Sequence, residues 1–266
     1  LDEEFPEFFL TDFMKYHFLV CLLFVSSISL HAQIFEAQEP LITDRPGEGT
    51  DAPYVLAPGE VQIEMGFLYQ DDSNLDQTVI LYPNTLVRVG ALERLEFRAS
   101  ASIFQQGPRE SIYISPVTLG AKIDVSENKG LIPKSAVIIN FTLPREGPEE
   151  VVNLAAHPEI RLLMNHGITS NFSITTNLSA SWINVEDSVT FPLHSYAASF
   201  DVGVTEYIST FAEFYGFWSR SNSSHLFNFG GTVLLLPDLQ LDLSGGVGLT
   251  ENAPNYFVSL GFAVRF

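Results

Sequence analysis

The feature that most constrains this chain is the strict alternation across residues 239–266. Leu239, Leu241, Leu243, Val247 and Leu249 fall on one parity, and Gln240, Asp242, Ser244, Gly246 and Gly248 on the other. After a turn at 251–254, Tyr256, Val258, Leu260, Phe262, Val264 and Phe266 share a face opposite Phe257, Ser259, Gly261, Ala263 and Arg265. A period of two marks a strand, and two such runs joined by a turn pair antiparallel. Each run is about 11 or 12 residues, enough for a tilted strand to cross a hydrocarbon layer, whereas strands of soluble proteins average roughly 5 or 6. The apolar face is continuous and carries aromatics, and the other face is small and polar. That pattern is the inverse of a soluble barrel, with lipid outside and a polar lumen inside. The expected fold is all-β: a transmembrane antiparallel up-and-down β-barrel.

The pattern repeats backwards to residue 59. A first strand at 59–70 turns Val61, Ile63, Met65, Phe67 and Tyr69 outward, and a second at 77–89 is interrupted by Pro83. The third carries Leu95, Phe97, Ala99, Ala101 and Ile103 outward, and the fourth Val117, Leu119, Ala121, Ile123 and Val125. Further runs centre on Val137–Leu143, Ile160–Met164, Phe172–Trp182, Tyr196–Val204, 208–218 and 225–236. With the last two, the count is about twelve. An even number brings both ends of a single-chain outer-membrane barrel to the periplasmic side, and short turns alternate with longer polar loops as such a barrel requires. Closure would pair the first strand with the last, leaving no backbone group unpaired in lipid.

The start of the chain reads differently. Met14 and Lys15 lead into an apolar run at 18–28 that ends in small or polar residues and Ala32, the layout of a secretory signal peptide at 14–32. Residues 1–13, rich in acids, read as an upstream artefact. Cys21 is the only cysteine and lies within the signal, so the mature protein is expected to have no disulfide and no thiol nucleophile. Residues 33–58 form an irregular N-terminal segment, a candidate periplasmic plug, and 59–266 the barrel. The net charge of −19 argues against nucleic acid as a partner.

Register then sorts the charges. Those expected in the lumen are Glu64, Arg88, Glu96, Arg98, Lys122, Asp124, Arg161, Asp201, Glu213, Asp242 and Arg265, mostly in the periplasmic half. With both signs present, they read as a mixed network rather than an ion-selective ring. One reading is structural, paired charges bracing a narrow barrel; the other is a constriction or a dock for Asp44, Arg45 and Asp51 of the segment. Towards the outer mouth Leu68, Tyr82, Phe104, Tyr215, Phe217 and Phe257 are expected inward, an aromatic vestibule suited to a small apolar solute. The terminal aromatic Phe266 reads as the signal to the barrel-assembly machinery. No His-x-x-x-His or His-Glu-x-x-His pattern offers a metal site, and no histidine stands two residues before a serine, so neither a catalytic pair, a metal nor a cofactor is expected.

Several short motifs carry a family resemblance. Thr43, Asp44, Arg45 and Pro46, then Thr50, then Pro58 and Gly59 leading to Glu64, resemble the opening of the outer-membrane transporters grouped under the MetA-pathway of phenol degradation. Leu119–Lys122, Phe141–Pro144, Glu213–Gly216 and the closing Gly261–Phe266 are similar to later motifs of the same family. An acidic residue ahead of the Leu119–Gly120 pair is missing. The resemblance implies a barrel in the outer membrane of a Gram-negative bacterium, meeting outer-membrane lipid and passing small aromatic compounds. Three functions compete: a passive channel or transporter for small, hydrophobic or aromatic solutes; a structural or adhesive barrel; and an outer-membrane hydrolase, for which no Ser–His pair is visible.

Overall fold

The computed structural model describes residues 41–45, 47–72, 77–106, 111–145, 156–183, 191–219 and 222–266. The expected signal peptide and the residues before it lie outside these. The described strand segments are β1 (Val61–Asp72), β2 (Gln77–Leu92), β3 (Leu95–Gln106), β4 (Ser111–Ile114), β5 (Thr118–Ser126), β6 (Lys134–Thr142), β7 (His157–Gly167), β8 (Phe172–Ile183), β9 (Phe191–Gly203), β10 (Ile208–Trp218), β11 (Ser223–Leu236), β12 (Leu239–Gly248) and β13 (Tyr256–Arg265). Segments β4 and β5 both pair with β3, β4 through Ile103↔Ile114 and β5 through Ser100↔Thr118. They are two halves of one stave, interrupted where Pro116 has no N–H for the ladder. The barrel therefore has twelve antiparallel staves.

Closure follows the expected route. β1 pairs with β13 from Gln62↔Arg265 to Asp71↔Tyr256, and Val61 exchanges backbone hydrogen bonds with Phe266. The β2–β3 ladder joins the remaining edges. Each stave thus has a partner on both sides, the condition for backbone in hydrocarbon. Short connections at 93–94, 168–171, 204–207 and 237–238 lie at the end that holds both Val61 and Phe266, which is the periplasmic end in such barrels.

Exposure is inverted relative to a soluble protein. Leu243 is 58% exposed, Leu260 54% and Phe229 58%, while Arg88, Lys122, Glu96 and Glu213 are fully buried. The buried set is the lumen, and the exposed set is the face offered to lipid. Several staves run further than the alternation shows: β6 begins at Lys134, β7 at His157 and β9 at Phe191. Their end residues stand at the barrel rims, where one face need not be apolar, so the alternation fades before the strand does.

One expected inward residue is corrected by register. The ladders of β2 shift between Leu81 and Asn84, so both of these face the lumen and the two residues between them form a bulge. Tyr82 accordingly donates a 3.1 Å hydrogen bond to Oε1 of Gln105, which shares the outward parity of Phe97 and Ala101. It does not belong to the vestibule.

Candidate functional site

None of the described residues between 41 and 60 lies in a strand, and Pro53 and Pro58 deny the segment regular ladder bonds. Their backbone groups still need partners once enclosed, and the lumen wall supplies these from charged side chains. Glu64 on β1 accepts from the N–H groups of Asp44 (3.0 Å) and Arg45 (3.1 Å). Glu96 on β3 accepts from Leu56 N–H (3.0 Å). Glu213 on β10 accepts from the N–H groups of Glu48 and Gly49, both at 3.1 Å, and from the Thr50 hydroxyl at 2.5 Å. The bases take the carbonyls. Arg88 donates to Ile42 (3.1 Å) and Tyr54 (2.9 Å), and Lys122 donates to Ala52 (2.8 Å).

Side-chain pairs add to this. Asp44 meets Arg98 at 2.7 Å and Lys122 at 3.1 Å, and Asp51 meets Arg98 at 3.0 Å and also Arg161. Burial disfavours an ionised Asp44, but Arg88, Lys122 and Arg98 together outweigh it, so its carboxyl is held well below the usual carboxylate range. Arg45 runs along the adjoining staves β13 and β12, with Nη2 2.9 Å from Asp242 Oδ1, Nε 3.2 Å from Oδ2, and a further bond to Ser259. Its path is a notch made by Gly66 and Gly261, which pair directly across β1 and β13; a Cβ on either would collide with the guanidinium.

Glu48 behaves in the opposite sense to Asp44. Burial, reinforced by Glu213 and Asp242, outweighs the attraction of Arg45 and pushes its carboxyl up to about 7. Its Oε1 is shut off from solvent with no hydrogen-bond partner.

The remaining expected charges sit apart from the segment. Asp124 pairs with Lys134 (2.9 Å), and Arg265 with Asp238 (2.9 Å) at the periplasmic turn. Asp201 accepts from Thr175 (2.9 Å) and Ser199 (2.6 Å). Alternation did not single out Lys134 or Glu159, which pairs with Arg161 at 2.8 Å, because both lie beyond the apolar runs of their strands. Gln62, Asn228 and Ser259 are further lumen residues in contact with Glu64, Glu213 and Arg45; their inward parity was the only signal.

Towards the outer end, the expected aromatics form a packed collar more than an open vestibule. Phe257 is 2% exposed and clusters with Leu226 and with Ala253 from the β12–β13 loop, with Leu68 and Tyr215 against them. Phe104 packs on Tyr113, ring centroids 5.6 Å apart. Phe217 stays 37% exposed at the rim.

Solved structures share this architecture. The COG4313 outer membrane channel from Pseudomonas putida F1 superposes with a TM-score of 0.60 at 13% identity, covering 83% of this chain and 99% of that one. The NanC porin gives 0.55 at 7% identity, with 77% of this chain and 100% of that one covered. The KdgM porin gives 0.52 at 12%, covering 77% and 99%. At these identities the likeness establishes the fold, that of a porin-like outer-membrane β-barrel. A search of curated protein sequences finds no match. The family model described as "Putative MetA-pathway of phenol degradation" matches residues 43–266, nearly the whole barrel and the lumen segment, and the chain belongs to that family.

Proposed function

We propose that the protein is a passive outer-membrane channel for small solutes, apolar and aromatic ones among them, with residues 41–58 seated in its lumen as a plug. The observation that carries this reading is the reception given to the segment. Three lumen glutamates accept its N–H groups, Arg88 and Lys122 donate to its carbonyls, and a glycine pair leaves room for Arg45. A barrel serving only to hold loops outside the cell has no need of a wall fitted to a separate strip of chain. The apolar collar of Leu68, Tyr215, Leu226 and Phe257 supports a preference for apolar solutes at the outer mouth. The three structural neighbours, described as a channel and two porins, support passage.

The test is single-channel conductance of the refolded protein in a planar bilayer, with and without residues 33–58. A small steady current that rises on truncation is the expected result. Silence in both forms would sink the channel reading and leave a structural barrel.

A further inference from the structure

The segment is not spread evenly across the lumen. Its ion pairs to the wall run to β2, β3, β5, β7 and β12, and between it and the wall of β8–β11 there remains a cavity of about 470 Å³. The lining on that side is rich in hydroxyls, among them Ser173, Thr175, Ser199, Ser209 and Thr232, with Asp201 in their midst. All belong to the strand ends next to the turns at 168–171, 204–207 and 237–238, which places the cavity at the periplasmic mouth.

Asp201 differs from most lumen acids. Glu64 and Glu96 face Arg88, Asp124 faces Lys134, Glu159 faces Arg161, and Asp242 faces Arg45. Glu213, though without a base, is covered by the backbone of the segment and by Asn228. Asp201 is answered only by two hydroxyls, one to each carboxylate oxygen, and among the described residues it makes no ion pair. The base among the lining residues of this cavity, Arg45, is already engaged by Asp242 and Ser259. A carboxylate with half its acceptor capacity unused, in a hydroxyl-lined space, is the arrangement by which a pore wall favours cations.

We propose that this cavity is the periplasmic end of the conduction path beside the seated segment, and that Asp201 makes the path select small cations over anions. The inference rests on the channel reading. A unit charge about 4 Å from a passing cation in water-like surroundings favours its presence roughly fivefold.

The test is the reversal potential of the full-length protein in a KCl gradient, for the wild type, Asp201→Asn and Ser209→Lys. The first variant removes the charge without changing shape, and the second sets a base in the same cavity. Cation preference in the wild type, reduced about fivefold by Asp201→Asn and abolished or reversed by Ser209→Lys, is the expected result. A measurable current whose selectivity neither variant changes would overturn the assignment of Asp201 while leaving the channel standing. Anion preference in the wild type would overturn it as well. Absence of current in all three forms, and after removal of residues 33–58, would bring down the channel reading and this inference with it.

Discussion

Current through the intact protein should rise with pH between about 4.5 and 7, and Glu48 should be the reason. Seated in the lumen, Glu48 faces Arg45, Glu213, Asp242, Ser259 and Tyr215, and its carboxyl is pushed up to about 7 from an ordinary value of 4.5. Freed into water it returns to the ordinary value. The seated state therefore binds a proton that the released state gives up. Its advantage is complete below pH 4.5 and is lost as pH rises through about 7. The difference corresponds to up to about 3 kcal/mol, or roughly three-hundredfold in the ratio of released to seated segment. Asp44 has the opposite sign, since its seated carboxyl is held below 3.8, and weakens seating only in strong acid, outside this window. The assay is single-channel open probability in symmetric buffers from pH 4.5 to 8, on the wild type and on Glu48→Gln. The neutral variant should stay seated throughout and show a flat profile. A flat wild-type profile, or a slope that survives in Glu48→Gln, would refute the reasoning.

Other outcomes follow from the same contacts. Arg45→Ala removes a two-point charged contact to Asp242 and a bond to Ser259, leaves a buried carboxylate unpaired at a cost of about 3 kcal/mol, and should raise conductance in the bilayer. Gly261→Val fills the notch against Arg45 and should act the same way while Arg45 is still present; unchanged conductance would mean that the guanidinium has another path. Arg88→Met strips Glu64 and Glu96 of their shared base and the Ile42 and Tyr54 carbonyls of a donor. It should lower the temperature at which the folded barrel loses its heat-modified gel mobility, by more than Arg94→Met, whose side chain is 58% exposed.

Parity was legible wherever lipid enforces it. Glu64, Arg88, Glu96, Lys122, Glu213 and Asp242 are each buried in the lumen, because hydrocarbon tolerates only apolar side chains on the other face and the period of two then fixes the rest. Where that constraint lapses, so does the signal. Pro83 sits in a bulge that turns Tyr82 outward, and a shift of one position cannot be counted from an interrupted run. Lys134 and Glu159 stand near strand ends, beyond the apolar runs of β6 and β7. Phe257 and Tyr215 read as lining an open vestibule because the residue that covers them, Ala253, belongs to a loop with no periodicity. The segment's charged residues hinted at a dock, but half of its attachments run through backbone N–H and C=O groups that every sequence carries alike.

The way the segment is held also says which part of it moves. Asp44 accepts a 2.8 Å bond from Ala52 N–H, closing residues 45–51 into a loop whose base is pinned by Arg98 and Lys122. Beyond it, Tyr54 and Leu56 are tied to Arg88 and Glu96, groups with almost no exposure. Pulling out this base strands several buried charges at once, each at a cost of a few kcal/mol. Between its base and Asp51, which Arg98 and Arg161 hold, the loop rests on Arg45 with Asp242 and on Glu213, and it carries Glu48, whose carboxyl burial pushes up to about 7. Release should therefore lift residues 45–50 and leave 52–57 in place, opening part of the lumen. Arg45→Ala, or high pH, should then give a conductance between that of the seated protein and that of the form lacking residues 33–58. Equal conductance in Arg45→Ala and in the truncated form would show that the segment leaves as a whole.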